Sequence, residues 1–156
     1  MPKMFISIIL VLSIVLFSSS SVYAGGLSTR FVEVKLEDME LGKTYSVKEE
    51  INRPLVVVNT TEDKTIDIEI EPEAPVEYNL VQGYEPIPDL SWIEIEKSYF
   101  ENVGPNEYAE TDIIITIPED KKYYGKKYQV YIYSHTASKA TFRMGIMSRI
   151  FLHIGK

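Results

Sequence analysis

The chain of 156 residues contains no cysteine, only two histidines and only one tryptophan. Without cysteine it can form no disulfide, thiol nucleophile or thiolate zinc site, so its hydrophobic core alone must stabilise the fold. The sequence also lacks the G-x-S-x-G turn that presents the nucleophile of many serine hydrolases. We therefore predict that the protein is not an enzyme and uses no cofactor.

Basic residues are outnumbered: 16 lysines and arginines face 23 aspartates and glutamates, for a net charge of −7. An acidic chain repels the phosphate backbone of nucleic acids. The charge balance therefore excludes nucleic acid as an expected partner.

Long apolar runs are absent except at the N-terminus. Lys3 precedes an apolar stretch over residues 5–17, and Val22-Tyr23-Ala24 resembles a signal-peptidase site. The stretch is shorter than the roughly 20 residues that a membrane-spanning helix needs. We predict a signal peptide over residues 1–24, no stable transmembrane anchor, and a periplasmic, cell-surface or secreted protein. Because exported eukaryotic sandwiches often carry disulfides, the missing cysteines favour a prokaryotic origin.

Beyond the signal peptide, we expect a flexible leader over residues 25–30 and one domain over residues 31–156. The stretch from Trp92 to Thr136 alternates apolar β-branched or aromatic runs with turns such as N-V-G-P-N-E and E-D-K-K-Y-Y-G. This pattern is typical of antiparallel sheets. The fold class is predicted as all-β, an immunoglobulin-like antiparallel β-sandwich of Greek-key type, with about seven to eight strands and no helix.

Alternation also predicts which side chains face the core. The expected inward residues are Val32, Val34, Leu36, Ile66, Ile68, Ile70, Ile93, Ile95, Ile113, Ile115, Ile117, Tyr128, Val130, Ile132, Ile150, Leu152 and Ile154. Asp112 is expected on the outward side. The irregular segment from Glu71 to Leu90 contains four prolines and is predicted to be a long loop, where binding function often resides.

The motifs L-S-W-I-E-I-E-K, V-G-P-N-E, I-I-I-T-I-P-E-D and Y-G-K-K-Y-Q-V-Y-I resemble those of prokaryotic extracellular immunoglobulin-like modules. Such modules include the α-galactosidase-associated domain, the extracellular domain of WxL-interacting proteins and, more distantly, the N-terminal domain of pilus chaperones. These motifs are characteristic mainly for their turn residues, so the resemblance implies a fold rather than an activity. We expect no counterpart here of the second domains of WxL-interacting proteins and pilus chaperones.

Four residues are candidates for an interaction surface. Tyr131, Tyr133 and His135 lie on the opposite side of their strand from Val130 and Ile132, and Trp92 is predicted to point outward or to cap a loop. Exposed aromatic residues on a sheet serve protein recognition or sugar stacking, although tyrosine is also a good strand former.

Other polar groups have simpler interpretations. His135 and His153 are predicted to be surface or edge residues rather than a metal or catalytic pair. The acidic series Asp67, Glu69, Glu71, Glu73 and Glu77 could bind calcium, or it could be the solvated side of a strand. Asn59-Thr60-Thr61 is an N-glycosylation sequon that we expect to act as turn chemistry.

Together these features predict a secreted or cell-envelope module that binds another protein, within a surface or pilus-like assembly. Recognition would use the tyrosines, an edge strand or the proline-rich loop. The alternative is a carbohydrate-binding accessory module.

Overall fold

The computed structural model describes residues 26–137 and 143–155. These residues form twelve strands, one short helix and three 3₁₀ turns. The strands are β1 Leu27–Thr29, β2 Glu33–Met39, β3 Thr44–Ser46, β4 Leu55–Asn59, β5 Ile66–Glu73, β6 Glu85–Pro86, β7 Ile93–Ile95, β8 Tyr99–Val103, β9 Tyr108–Thr111, β10 Ile113–Thr116, β11 Lys127–Thr136 and β12 Gly145–Ile154. Helix α1 spans Val47–Ile51, and the 3₁₀ turns span Glu77–Asn79, Leu90–Trp92 and Lys121–Tyr123.

The predicted all-β, immunoglobulin-like class is confirmed. The main sheet has the order β2-β12-β11-β5-β8, and β6 pairs with β11 beside this path. β2 runs parallel to β12 and β6 runs parallel to β11, whereas the other pairs are antiparallel. Two three-stranded sheets, β1-β4-β9 and β3-β10-β7, make up the opposite layer of the sandwich.

The predicted strand number of seven to eight is too low. Several strands have only two or three residues and are held by partners far away in sequence, so local alternation could not reveal them. The predicted leader is one example. Its residues 27–29 form β1, in which Leu27 pairs with Asn59 and Thr29 pairs with Val57 of β4.

A single hydrophobic core joins the layers, and most of the predicted inward residues are buried in it. These are Val34, Leu36, Ile68, Ile70, Ile93, Ile113, Ile115, Ile117, Tyr128, Val130, Ile132, Ile150, Leu152 and Ile154. Burying one isoleucine side chain contributes about 1.5–3 kcal/mol. Val32 is an exception at 61% exposure, because β2 begins only at Glu33 and Phe31 takes the inward position before it.

Helix α1 corrects the expectation of no helix. It has one and a half turns, too short to show a helical period in the sequence. The Ser46 hydroxyl caps it by accepting a hydrogen bond from the Glu49 N–H at 3.1 Å. The Asp112 carboxylate accepts from the Ser46 hydroxyl and, at 2.9 Å, from the Lys48 N–H. Asp112 is therefore buried rather than outward, because its carboxylate holds the start of α1.

The predicted signal peptide, residues 1–24, lies outside the described residues. Among residues 26–137 and 143–155, no helix is both long enough and apolar enough to span a membrane.

Candidate interaction surface

Strand β11 is the central element of the candidate surface. Its inward positions include Val130 and Ile132, which are fully buried, so Tyr131 and Tyr133 project from the outer side of the main sheet. Both tyrosines are half-buried. The predicted orientation of these two side chains is thus observed, whereas their function remains a prediction.

The register of the sheet places charged and apolar neighbours on either side of the tyrosines. Tyr131 is paired with Glu73 of β5 and with Arg149 of β12. Two residues further along β11, Tyr133 is paired with Glu71 and with Met147, whose exposure is 48%. Cross-strand partners have Cβ atoms about 4.5–5.5 Å apart, so the side chains of each row are neighbours on the sheet. We call the set Tyr131, Tyr133, Met147, Arg149, Glu71 and Glu73 the tyrosine face.

His135 is not an exposed member of this face, contrary to the prediction. Its exposure is only 1%, and its ring lies 4.6 Å from the ring of Tyr133, centroid to centroid. The Nε2 atom lies 3.1 Å from a carboxylate oxygen of Glu71, and the Nδ1 atom lies 3.0 Å from the Thr136 carbonyl oxygen. Each ring nitrogen of His135 therefore has its own hydrogen-bonding partner. The buried His135 ring therefore packs against the Tyr133 ring and supports the tyrosine face.

Trp92 is also buried, at 5% exposure, and is not a surface platform. Asp89 caps the 3₁₀ turn that carries it: the Asp89 carboxylate accepts from the Ser91 N–H at 2.8 Å. The turn directs the indole edge-on against the rings of Tyr123 and Tyr128, with centroids 4.8 and 5.6 Å away. Such aromatic pairs stabilise a core. Trp92 therefore belongs to the core, where it packs against Tyr123 of a later turn and Tyr128 of β11.

The proline-rich segment covers one end of the outer side of β11. Gln129, which is fully buried, holds it: the side-chain oxygen accepts from the Val81 N–H at 2.9 Å, and the side-chain nitrogen donates to the Asn79 carbonyl at 3.0 Å. The Gln129 backbone carbonyl also accepts from the Ile87 N–H at 3.0 Å. Strand alternation does not reveal this role, since it assigns Gln129 an outward position.

Tyr84 fixes the same segment to β12. Its ring packs on Phe151 with a centroid distance of 4.4 Å, and its hydroxyl lies 2.5 Å from Nε2 of His153. On the other side of the ring, Nδ1 of His153 lies 3.6 Å from a Glu37 carboxylate oxygen. Burial, followed by the positive charges of Lys127 and Lys35, lowers the pKa of His153. The proline-rich segment reaches the Tyr131 hydroxyl, which donates to the Asn79 carbonyl, and Tyr133 lies two residues further along β11.

The two histidines and the acidic series do not form a metal site. His135 and His153 lie at opposite ends of the β11–β12 pair, opposite Gly145 and Lys127 respectively. Within the described part of the chain, no three histidine or acidic side chains converge as metal ligands would. Asp67 instead accepts hydrogen bonds from the Tyr99 hydroxyl at 3.0 Å and from the Asn102 N–H at 2.9 Å.

The sequon is turn chemistry, as predicted. Asn59 is fully buried; its side-chain nitrogen donates to the carbonyls of Lys64 and Val103 at 2.8 and 2.9 Å. Its side-chain oxygen accepts from the Thr61 N–H and hydroxyl at 2.9 and 2.7 Å. The Asn59 amide is therefore enclosed in the fold and holds the turn between β4 and β5 together.

Comparisons with known proteins agree with this fold. No protein-family model and no curated protein sequence matches the chain. Among solved structures, a PapD-like domain of human CEP192 has a TM-score of 0.51 at 9% identity, over 83% of this chain and 84% of that one. A Bacteroides ovatus protein with a proposed role in carbohydrate binding has a TM-score of 0.55 at 11% identity, over 84% of this chain. A protein of unknown function from Porphyromonas gingivalis has a TM-score of 0.53 at 13% identity, over 83% of this chain.

The chain spans only 37% and 48% of the lengths of the two bacterial proteins. At these sequence identities the matches establish the fold and give no information about activity. The PapD-like match supports the distant resemblance to the sandwich of pilus chaperones. The resemblance to the α-galactosidase-associated and WxL-interacting domains stays a prediction.

Proposed function

We propose that the protein is a non-enzymatic binding module whose tyrosine face recognises another protein. One observation carries the proposal. The register of the main sheet places two half-buried tyrosines and the exposed Met147 in adjoining rows, with Glu71, Glu73 and Arg149 around them. Protein interfaces have this composition, with aromatic residues and methionine at the centre and charged residues at the rim.

The surroundings of the face make it a rigid surface. Tyr133 stacks on the buried His135, and the Tyr131 hydroxyl donates to the Asn79 carbonyl at 3.3 Å. Side chains that are held before binding lose less conformational entropy when a partner docks. The proposal gives neither histidine a catalytic role, because His135 and His153 lie far apart and each has its own hydrogen-bond partners.

The proposed partner belongs to the cell envelope or the secreted fraction, since we propose that residues 1–24 are a cleaved signal peptide. N-terminal sequencing of the protein purified after expression of the full chain tests that part. A mature N-terminus at Gly25 is expected, and retention of Met1 would contradict it.

Affinity capture from envelope extracts tests the binding proposal. Tyr131→Ala and Met147→Glu are expected to abolish recovery of the partner, because each removes apolar area from the centre of the face. Tyr124→Ala is the matched control, since Tyr124 is a 49% exposed tyrosine in the turn before β11, away from the tyrosine face. Equal recovery with all three variants would rule the tyrosine face out.

A glycan ligand is the second candidate. Half-buried tyrosine rings beside the Glu71 and Glu73 carboxylates could stack on sugar rings and accept hydrogen bonds from sugar hydroxyls. A glycan array with the wild-type protein and Tyr131→Ala separates the two candidates. Binding that Tyr131→Ala abolishes would favour the glycan, and no binding to any glycan would eliminate it. Trp92→Ala is unsuitable for this test, because it would remove a buried core side chain.

A further inference from the structure

The layer opposite the tyrosine face contains a groove whose lining combines apolar side chains with two arginines. It lies on the outer side of β1 and β4, has a volume of about 480 Å³ and is open to solvent. Its lining residues are Ser28, Thr29, Arg30, Phe31, Arg53, Pro54, Val56 and Val58. Val56 and Val58 line it because Leu55, Val57 and Asn59 take the inward positions of β4.

Two arginines distinguish this groove from the rest of an acidic surface. Arg30 and Arg53 are exposed, and neither forms an ion pair with any side chain in residues 26–137 and 143–155. Arg149, by contrast, lies 3.8 Å from Glu33. A guanidinium presents a fork of N–H donors that matches a carboxylate. The groove therefore suits an occupant that carries both carboxylates and apolar or aromatic side chains.

The chain itself carries a surface of that chemistry. On the tyrosine face and the adjoining β5 positions, carboxylates alternate along the strand beside the tyrosines of β11. Glu69 and Glu73 are outward members of this row, and among the described residues neither forms an ion pair. Residues two apart on a strand lie about 6.5–7 Å from each other, so Glu69 and Glu73, which are four apart, lie about 13–14 Å from each other with Glu71 between them.

We propose that the arginine groove of one copy binds the tyrosine face of a second copy. This inference rests on the proposed function and names the partner of the same face. Because the groove and the face lie on opposite layers of the sandwich, each copy keeps one free groove and one free face after pairing. Such a heterologous contact extends into an open chain of copies or closes into a ring.

A charge-exchange experiment tests the pairing in the protein purified after expression of the full 156-residue sequence. The wild type is expected to increase in mass-average size with concentration in sedimentation velocity, in the micromolar range typical of small interfaces. Arg30→Glu with Arg53→Glu makes the groove acidic, and Glu69→Arg with Glu73→Arg makes the outward row of β5 beside the tyrosines basic. Each double variant alone is expected to stay monomeric.

Mixing the two double variants is expected to restore association, because both contacts are then between opposite charges. Lys64→Glu with Lys121→Glu is the control: it makes the same charge change at two exposed lysines outside the groove and should associate like the wild type. Thermal denaturation confirms that each variant is folded. A monomeric wild type at every concentration, or a mixture that does not associate, would overturn the inference. If the wild type is monomeric but capture of another protein still depends on Tyr131, the proposed function stands and only the self-pairing fails.

Discussion

The ring of Tyr133 lies directly over Gly145 on the neighbouring strand β12. A Cβ atom on Gly145 would be 2.5 Å from both the Cε2 atom and the hydroxyl oxygen of Tyr133. Non-bonded heavy atoms do not approach so closely, so the ring occupies the space that any other residue's side chain would need. Covering a strand glycine with a cross-strand aromatic ring also stabilises the pairing.

Gly145→Ala is therefore expected to displace Tyr133 and lower the free energy of unfolding by about 1–3 kcal/mol. In a Tyr133→Ala background the same substitution should cost much less, and a double-mutant cycle from urea denaturation measures the difference. Gly26→Ala is the control, because a Cβ there would meet its nearest atom, Sδ of Met144, at an ordinary 3.8 Å. Equal costs of Gly145→Ala in both backgrounds would contradict the steric explanation.

Gln129→Leu is expected to release the proline-rich segment while the strands remain intact. The substitution leaves the Val81 N–H and the Asn79 carbonyl without their side-chain partners. Losing them should speed amide hydrogen exchange in residues 79–87 by about tenfold or more, equivalent to roughly 1.4 kcal/mol. Exchange in β5 should be unchanged, and Gln82→Leu, at an exposed position in the same segment, should have no effect. Uniformly faster exchange in every strand would mean that Gln129 stabilises the whole domain instead.

Asn59→Ala is expected to lower the free energy of unfolding by about 2–4 kcal/mol, because it leaves several buried hydrogen-bonding groups without partners at once. These include the carbonyls of Lys64 and Val103. Chemical denaturation measures the loss. Asn79→Ala serves as the comparison: Asn79 is exposed and its hydrogen bonds are made by backbone groups, so a change within about 0.5 kcal/mol is expected. A similar loss in both variants would show that the Asn59 network is not specific.

The lowered pKa of His153 predicts that stability falls on acidification. In the folded state burial opposes protonation, so the unfolded chain binds a proton more readily. The contribution is fully present above the unfolded pKa of about 6.5, and it is lost as the pH falls from there toward the folded pKa. The difference in unfolding free energy between wild type and His153→Gln should therefore shrink between about pH 7.5 and pH 5. A difference that is constant over this range would refute the effect.

Subtracting the His153→Gln curve is necessary because many carboxylates also begin to titrate near the acidic end of the range. The groups around His153 are Tyr84, Glu37, Asp38, Lys35 and Lys127. They are present in both proteins, so their own titration largely cancels in the difference.

The inward residues of the long strands could be predicted from the sequence because each strand buries one side, and alternation by two records that fact directly. The outward orientation of Tyr131 and Tyr133 follows from the same rule. Alternation does not reveal what covers the outer side of a strand. Gln129 and His135 occupy outward positions in the alternation, yet both are buried. The proline-rich segment covers Gln129, whereas Tyr133 and Glu71 enclose His135.

The short elements likewise depend on tertiary contacts that the sequence pattern does not show. β1, β6 and α1 are too brief to have a period of their own, and they form because distant partners complete their hydrogen bonds. Trp92 lies beside a strand in sequence, but its burial depends on Tyr123 and Tyr128, which meet it only in the folded chain.

The sequence by itself determined the fold class and the composition of the core, because strand alternation, turn residues and the absence of cysteine are local or compositional properties. The tertiary structure decided which outward residues form a surface. Strand register aligned Tyr131 and Tyr133 with Glu73, Glu71, Arg149 and Met147, and the folding of one segment over β11 buried Gln129. Register and coverage depend on contacts between residues far apart in the chain, and no local pattern in a single sequence encodes them.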